Sequence, residues 1–263
     1  MELKIYQVDA FAEKLFTGNP AAVCPLQKWL PDATLQQIAM ENNLAETAFY
    51  VQEPEGYRIR WFTPALEVDL CGHATLATAH VLFEHEGFSG HEISFNSRSG
   101  ILKVTRSGDY LTLNFPTDEF EKVKIPPELA ISLNIHSKEC YRGKTDYMLV
   151  YENEKQIKDL KPNFTSMLMV DGRGVICTAK GDKVDFVSRF FAPQSGVDED
   201  PVTGSAHTTL TPYWSRTLNK KTLTAMQLSK RVGHLKCVDM GERVEISGRA
   251  KTYLIGDIII ATA

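Results

Sequence analysis

Arg60-Trp61-Phe62-Thr63-Pro64 is followed, 129 residues later, by the similar segment Arg189-Phe190-Phe191-Ala192-Pro193. Three further pairs of similar segments recur in the same order at offsets of 132 and 133 residues: Cys71–Thr75 with Thr203–His207, Ser99–Val104 with Val232–Cys237, and Gly108–Leu113 with Gly241–Ile246. Internal similarity at a nearly constant spacing indicates a duplication. The sequence therefore predicts two domains of the same topology.

The secondary structure expected within each half is a series of strands around one helix. Arg58–Thr63 and Asp185–Phe191 are rich in the β-branched and aromatic residues that favour strands. His73–Glu84 is apolar or small on nearly every face, which is typical of a buried helix. We therefore predict an α+β fold with two pseudo-symmetric domains, each a mostly antiparallel sheet rolled around a central helix.

Chain length and loop signals divide the sequence. A chain of 263 residues is long for one core, and two domains of roughly 130 residues are expected. Turn residues at Phe115–Asp118 and Lys124–Pro127 place the boundary there. The predicted division is residues 1–117 for the N-terminal domain and 118–252 for the C-terminal domain. A last strand over 253–263 has no counterpart in the repeat and is expected to return to the N-terminal domain.

Composition argues against several classes of partner. The net charge is −4 and no run of Lys or Arg forms a basic stripe, so nucleic acid and acidic membrane surfaces are not expected to bind. No apolar stretch approaches the roughly 20 residues of a membrane span. Met1–Tyr6 alternates like a strand and has no apolar signal core, which predicts a cytoplasmic protein.

The cysteines and glycines indicate neither a disulfide framework nor a bound cofactor. Five cysteines at irregular spacings are expected to be reduced thiols. Cys71, His73 and His80 lack the further ligands of a zinc site, so no metal is predicted. Neither glycine-rich nucleotide motif is present, and no cofactor is expected.

The two predicted central helices begin in the same way. Asp69–His73 and Asp198–Ser205 each bring a Gly and small residues to a helix start. The free N–H groups of a helix N-terminus attract an anion such as a carboxylate. If the domains face each other, the two helix starts would line one cleft suited to a small carboxylate substrate. Taken one at a time, each segment is also typical of a structural N-cap.

Three side chains near these segments are candidates for the chemistry. Glu46 lies where a loop gives way to a strand, and in a desolvated cleft its carboxylate could take up and return a proton; otherwise it is a surface residue. His73 could be an acid or hydrogen-bond donor, or a capping residue. Asp200 could orient a substrate amine or hydroxyl, or cap the second helix.

Four segments together resemble the phenazine-biosynthesis PhzF-like family: Phe16–Val23, Ala45–Thr47, Cys71–Thr75 and Asp200–Ala206. They occur in the order of the family and extend over nearly the whole chain. The resemblance implies the diaminopimelate-epimerase fold, with the active site between two like domains and no cofactor. It also implies a homodimer and an isomerase that moves a proton within a small carboxylate-bearing metabolite, such as trans-2,3-dihydro-3-hydroxyanthranilate.

The resemblance also assigns roles to residues. Glu46 would shuttle the proton as general acid and base, with His73 and Asp200 as further catalytic residues. Asn19, Gly72, Gly204 and Ser205 would bind the substrate, the two glycines through their N–H groups.

Two other functions stay open. Epimerases of this fold use two cysteines; Cys71 stands at the first position, but Pro201 occupies the second and has no acid–base chemistry. An amino-acid epimerase or racemase with Glu46 and Cys71 as an unlike pair is the first alternative. A non-catalytic small-acid-binding protein is the second. Pro212 departs from the family and is expected to kink or end the second central helix.

Overall fold

A computed structural model describes residues 1–260 of the chain. The backbone forms two compact units: Met1–Asn114 together with the segment from Ser247 onward, and Phe115–Ile246. The sequence places the corresponding boundaries after residues 117 and 252. Of the described helices, none combines the length and the apolar character that a membrane span requires.

The first unit is a sheet with one long buried helix and one peripheral helix. Its elements are β1 (Glu2–Ala10), β2 (Asn19–Leu26), α1 (Asp32–Asn42), β3 (Glu46–Glu53), β4 (Gly56–Phe62), β5 (Glu67–Val68), α2 (Gly72–Glu84), β6 (Glu92–Ser97), β7 (Gly100–Ser107), β8 (Tyr110–Pro116) and β18 (Ala250–Ile259). Most pairings are antiparallel, whereas β2 with β3 and β4 with β6 are parallel.

Helix α2 is the central helix that the sequence predicts. Nearly all of its side chains from His73 to Phe83 are buried, and it packs against β1, β2, β3, β7 and β18. A helix without a polar face is stable only when the sheet covers it on all sides. The last strand, β18, pairs antiparallel with β1 from Glu2 to Ala10 and so belongs to the first unit. Residues 261–263 of the predicted strand lie outside the described residues.

The elements of the second unit are β9 (Glu121–Lys122), α3 (Pro127–Ile131), β10 (Glu139–Arg142), β11 (Asp146–Val150), α4 (Glu154–Asp159), α5 (Phe164–Met167), β12 (Gly174–Lys180), β13 (Phe186–Ala192), β14 (Val197–Glu199), α6 (Ala206–Leu218), β15 (Thr222–Gln227), β16 (Gly233–Asp239) and β17 (Arg243–Gly248). From β10 to β17 the second unit repeats the order of β1 to β8, with one additional short α-helix; β9 and α3 precede this repeat. The parallel pairs recur as β11 with β12 and β13 with β15. The predicted α+β fold is confirmed.

The repeated arginine has the same partner in each unit. Arg60 on β4 makes a bidentate ion pair with Glu67, with both N···O distances 2.7 Å. Arg189 on β13 does the same with Glu199, at 2.7 and 2.9 Å. Bidentate pairing of this kind fixes orientation as well as charge. In each unit this ion pair therefore links the strand that carries the repeated arginine to the short strand that precedes the central helix.

The sequence predicts that Pro212 kinks or ends helix α6, and the second of these outcomes does not occur. The helix continues to Leu218 with Pro212 inside it. A proline cannot donate to the carbonyl four residues before it. The backbone N–H of Asp118 donates to that carbonyl of Thr208 at 3.3 Å instead. The hydrogen bond that Pro212 removes is therefore replaced from a neighbouring segment.

Candidate functional site

Glu46 is the first residue of β3, as the sequence predicts. It stands opposite Ala21 in the parallel pairing of β3 with β2. Its side chain is 19% exposed, so the carboxylate is largely removed from solvent. A strand end gives such a group a fixed position on a rigid element, which general acid–base chemistry requires.

His73 lies within reach of that carboxylate. It is the second residue of α2, is buried, and places Nε2 3.1 Å from Oε2 of Glu46. Within residues 1–260 neither atom makes an aligned hydrogen bond, although both are buried. Buried polar atoms without a hydrogen bond are rare and call for an explanation such as a ligand. The pair therefore forms a short ionic contact with bonding capacity left over.

A tight turn places Asn19 behind the imidazole. Gly18 has φ +70°, and a Cβ on it would lie 2.1 Å from the carbonyl oxygen of Ala10, so only glycine fits. Asn19 Nδ2 lies 3.2 Å from Nδ1 of His73. In this orientation the amide donates to Nδ1, and the ring proton is on Nε2, facing Glu46. The substrate-binding role that the resemblance implies for Asn19 stays a prediction.

The electrostatic surroundings favour a charged imidazole. Burial alone would lower the pKa of His73, but Cys71 and Glu46 outweigh it and hold that pKa well above its usual value. Protonation of Nδ1 requires the Asn19 amide to rotate and present its oxygen, because a protonated ring donates from both nitrogens. Glu46 and His73 thus form a pair that can accept or release a proton, and Asn19 contacts the other ring nitrogen.

Cys71 completes the cluster without the features of a reactive thiol. It is buried at the N-cap of α2, with Sγ 3.5 Å from His73 Nδ1. Burial raises its pKa, and Glu46 raises it further. The thiolate, which is the nucleophile and the metal ligand, is therefore disfavoured.

The same three residues are the candidate metal ligands of the described chain. One donor atom each from Glu46, Cys71 and His73 lies within 4.8 Å of the others. Zinc binding requires a thiolate and a neutral imidazole. The raised pKa values of Cys71 and His73 oppose both forms. The donor set fits proton transfer better than a metal.

In the second unit, Asp200 is held in a hydrogen-bonded loop before α6. Thr203 Oγ1 donates to Asp200 Oδ2 at 2.5 Å. The buried Gln227 secures the loop from β15: its Nε2 donates to the Asp200 carbonyl at 2.8 Å, and its Oε1 accepts from Thr203 N at 2.9 Å. Sequence reasoning missed Gln227, because a single amide in a strand carries no local signal.

Ser205 is the N-cap residue of α6. It accepts a hydrogen bond from an arginine that is itself in an ion pair, and the sequence did not reveal this arrangement. Arg173 Nη2 donates to Ser205 Oγ at 2.9 Å. The same guanidinium makes a bidentate pair with the buried Asp146. Gly72 is the first residue of α2, and Gly204 lies in the turn before Ser205. The substrate-binding roles of both glycines stay predictions.

Each unit therefore brings together a different set of the predicted residues. Glu46, His73 and Asn19 meet in the first unit, and Asp200 and Ser205 stand at the start of α6 in the second. The first set holds a buried acid–base pair, and the second holds the Ser205 hydroxyl and the Asp200 carboxylate, with the Asp146-paired guanidinium of Arg173 beside Ser205.

Known proteins share sequence and fold with this chain over nearly its whole length. The PhzC-PhzF family, described as phenazine biosynthesis-like protein, matches residues 8–256. A Pseudomonas aeruginosa protein named an uncharacterised isomerase is 51% identical over 98% of this chain and 99% of its own. The crystal structure of a PhzF-family phenazine biosynthesis protein from Enterococcus faecalis has 48% identity and a TM-score of 0.96, covering 99% of this chain and 100% of that one.

A more distant structure shows the fold alone. A predicted epimerase from Pseudomonas aeruginosa is 20% identical with a TM-score of 0.74, over 98% of this chain and 100% of that chain. The epimerase-like α+β fold expected from the sequence is thus confirmed. Because the family match covers nearly the whole length, the chain belongs to the PhzC-PhzF family of phenazine biosynthesis-like proteins.

Proposed function

We propose that this protein is a cofactor-independent isomerase that moves a proton within a small carboxylate-bearing metabolite, with Glu46 as the general acid and base. The observation that carries the proposal is the buried pair of Glu46 Oε2 and His73 Nε2, 3.1 Å apart and without aligned hydrogen bonds among the described residues. Membership of the family and the isomerase names of curated relatives support this reaction class.

In the proposed reaction, the Glu46 carboxylate takes a proton from an activated C–H of the substrate. The electron pair left on carbon moves into the conjugated system, and Glu46 returns the proton at another carbon. The imidazolium of His73, whose Nε2 lies 3.1 Å from Glu46 Oε2, can donate to the negative charge that develops. No electrons leave the substrate, so the step balances without an oxidant or reductant.

The first turn of α2 supports a carboxylate substrate. Cys71 is the N-cap residue, and its thiol is not one of the oxygen acceptors that usually cap a helix. Negative charge near a helix N-terminus is favourable by roughly 0.3–1 kcal/mol at exposed positions. The N–H of Gly72 belongs to this turn, in keeping with its predicted role in substrate binding.

The test is proton NMR of the wild-type protein in deuterated water with a panel of cyclic and amino-acid carboxylates. The panel includes trans-2,3-dihydro-3-hydroxyanthranilate. Isomerisation predicts deuterium at a carbon of the product together with a shifted double bond. A substrate that gains deuterium but keeps its double bonds would contradict an isomerase.

An amino-acid epimerase is the second candidate, because the donor atoms of Glu46, Cys71 and His73 lie within 4.8 Å of one another. Two unlike groups could then serve opposite faces of one carbon. The raised pKa of Cys71 opposes its action as a base. Inversion at a deuterated α-carbon, followed by chiral chromatography, would favour the epimerase; retention of configuration would exclude it.

We also propose that the protein forms a homodimer, as the resemblance implies, and that it is located in the cytoplasm. Phe16, Tyr253 and Ile255 are large apolar residues that are exposed in the first unit, and the rings of Phe16 and Tyr253 meet at 5.7 Å. Exposed apolar clusters mark association sites, and we propose that a second copy of the chain covers this one. Light scattering should give twice the chain mass for wild type and the monomer mass for Ile255→Asp; equal masses would contradict this surface.

A further inference from the structure

Two polar side chains in the core of the second unit have hydrogen-bonding atoms that no protein group satisfies. They are Ser188 on β13, which is 1% exposed, and His207 on α6, which is fully buried. Within residues 1–260, neither Ser188 Oγ nor His207 Nε2 has a hydrogen-bond partner. Buried side-chain polar atoms are usually hydrogen-bonded to protein or to ordered water, so each exception calls for an explanation.

The other ring nitrogen of His207 decides what Nε2 can do. His207 Nδ1 lies 2.8 Å from the carbonyl oxygen of Thr203. A carbonyl oxygen only accepts, so Nδ1 carries the proton and donates it in this hydrogen bond. Burial lowers the pKa of His207 to about 4, and the ring is therefore neutral near neutral pH. In this tautomer Nε2 is an acceptor, and it requires a donor.

The contacts around Ser188 direct its side chain towards α6. Phe186 lies two residues earlier on the same strand and so shares its face of the sheet. The centres of the Phe186 and His207 rings are 5.9 Å apart. Thr178 is the partner of Ser188 on β12, and its Oγ1 accepts a hydrogen bond from Trp214 Nε1 of α6 at 2.9 Å. Two neighbours of Ser188 on the sheet thus contact the helix.

The neighbour of Ser188 on the other side reaches the same region. Ser188 pairs with Gln227 in the parallel pairing of β13 with β15. Gln227 Oε1 accepts from the backbone N–H of Thr203 at 2.9 Å, and the carbonyl of Thr203 is the acceptor of His207 Nδ1. The Ser188 hydroxyl and the His207 imidazole therefore face one small region between β13 and the first turn of α6.

The repeat places different residues at these two positions of the first unit. The offset of 129 residues at the repeated arginine makes Ile59 the counterpart of Ser188, and the offset of 132 at the repeated glycine makes Thr75 the counterpart of His207. Both counterparts are buried, and Thr75 Oγ1 donates to the Cys71 carbonyl at 2.6 Å. Ile59 has no polar atom in its side chain. In the first unit these two positions thus leave no side-chain polar atom without a partner.

We propose that one water molecule is bound between β13 and α6, where it donates to His207 Nε2 and accepts from Ser188 Oγ. Its second hydrogen can be donated to Thr178 Oγ1, which gives its own hydrogen to the Val187 carbonyl and accepts from Trp214 with only one of its two lone pairs. Buried waters typically make about three such hydrogen bonds. The water links the sheet to the first turn of α6, and this inference is independent of the proposed reaction.

The test is a crystal structure of the full wild-type chain at a resolution that orders buried waters, together with ¹⁷O magnetic relaxation dispersion, which counts long-lived waters in solution. Density for a water is expected within hydrogen-bonding distance of both His207 Nε2 and Ser188 Oγ. A direct hydrogen bond between the two side chains, or a site without density, would overturn the proposal.

Exchange of residues between the two copies of the repeat gives a second test. His207→Thr/Ser188→Ile places the residues of the first unit at both positions and should remove one long-lived water. Ser188→Ala is a milder change, and it should shorten the residence time of this water about tenfold, because one hydrogen bond is lost. Ser247→Ala is the matched control, since Ser247 Oγ already hydrogen-bonds Thr112 Oγ1 at 2.8 Å. An unchanged water count in the folded double variant, or an equal loss in Ser247→Ala, would refute the assignment.

Discussion

Replacing Glu46 by Gln should change how the stability of the protein depends on pH. The substitution keeps the shape of the side chain but removes the charge 3.1 Å from His73 Nε2. Cys71 and Glu46 raise the pKa of His73 against the opposing effect of burial. A histidine whose pKa is raised on folding stabilises the native state below its unfolded pKa of about 6.5. That stability is lost as the pH rises through the folded pKa.

The expected change in the free energy of unfolding follows from the titration of one group and the loss of one partner of a buried ion pair. Within the window between about pH 6.5 and the raised folded pKa, one group changes the free energy of unfolding by at most about 1.4 kcal/mol per pH unit. Removing one partner of a buried ion pair costs on the order of 3–5 kcal/mol. Glu46→Gln should therefore destabilise the protein most at the acidic end of this window and progressively less above it.

Urea unfolding at half-unit steps from pH 6 to pH 10 measures the effect. Glu41→Gln is the matched control, since Glu41 is an exposed carboxylate on α1. Its unfolding free energy should run parallel to that of wild type at every pH. The reasoning about the His73–Glu46 pair would be refuted by parallel curves for wild type and Glu46→Gln.

Three other substitutions test the supports of the site. Gly18→Ala should destabilise the protein by about 2 kcal/mol or more in a thermal scan, because the position has φ +70° and the new Cβ would clash with the backbone. Gly87→Ala is the control: its φ is +72° but the space around it is open, so it should cost only about 1 kcal/mol. Gln227→Leu should lower stability by roughly 1–3 kcal/mol, because the buried N–H of Thr203 loses its acceptor; unchanged urea midpoints would contradict this. Cys71→Ser should keep kcat within about tenfold of wild type if the thiol is structural, whereas a loss of a hundredfold or more would identify it as an acid–base group.

Much of the site is local in sequence and could be predicted. Glu46 and His73 each lie in short motifs at the start of a strand and of a helix, and these elements fix where the residues stand. The two repeated arginines could also be recognised from the sequence, because each lies in a short repeated motif. Their glutamate partners could not be recognised, because Glu67 follows Arg60 by seven residues whereas Glu199 follows Arg189 by ten. Unequal connecting loops hide the equivalence of the two ion pairs.

Contacts between distant segments account for the rest. Arg173 reaches Asp146 and Ser205 across strands, and nothing near Arg173 in the sequence distinguishes it from a surface arginine. Whether Pro212 ends its helix also depends on a distant segment. Local rules state that proline removes a hydrogen bond, but only the fold shows that the Asp118 N–H replaces it.

Exchange of a substrate proton with solvent tests most directly whether Glu46 transfers the proton. Wild type and Glu46→Gln are incubated in deuterated water with trans-2,3-dihydro-3-hydroxyanthranilate and the other panel carboxylates, and carbon-bound deuterium is followed by NMR. Deuterium should enter a carbon position with wild type and at least a hundredfold more slowly with Glu46→Gln. Exchange at the wild-type rate in folded Glu46→Gln would contradict the account.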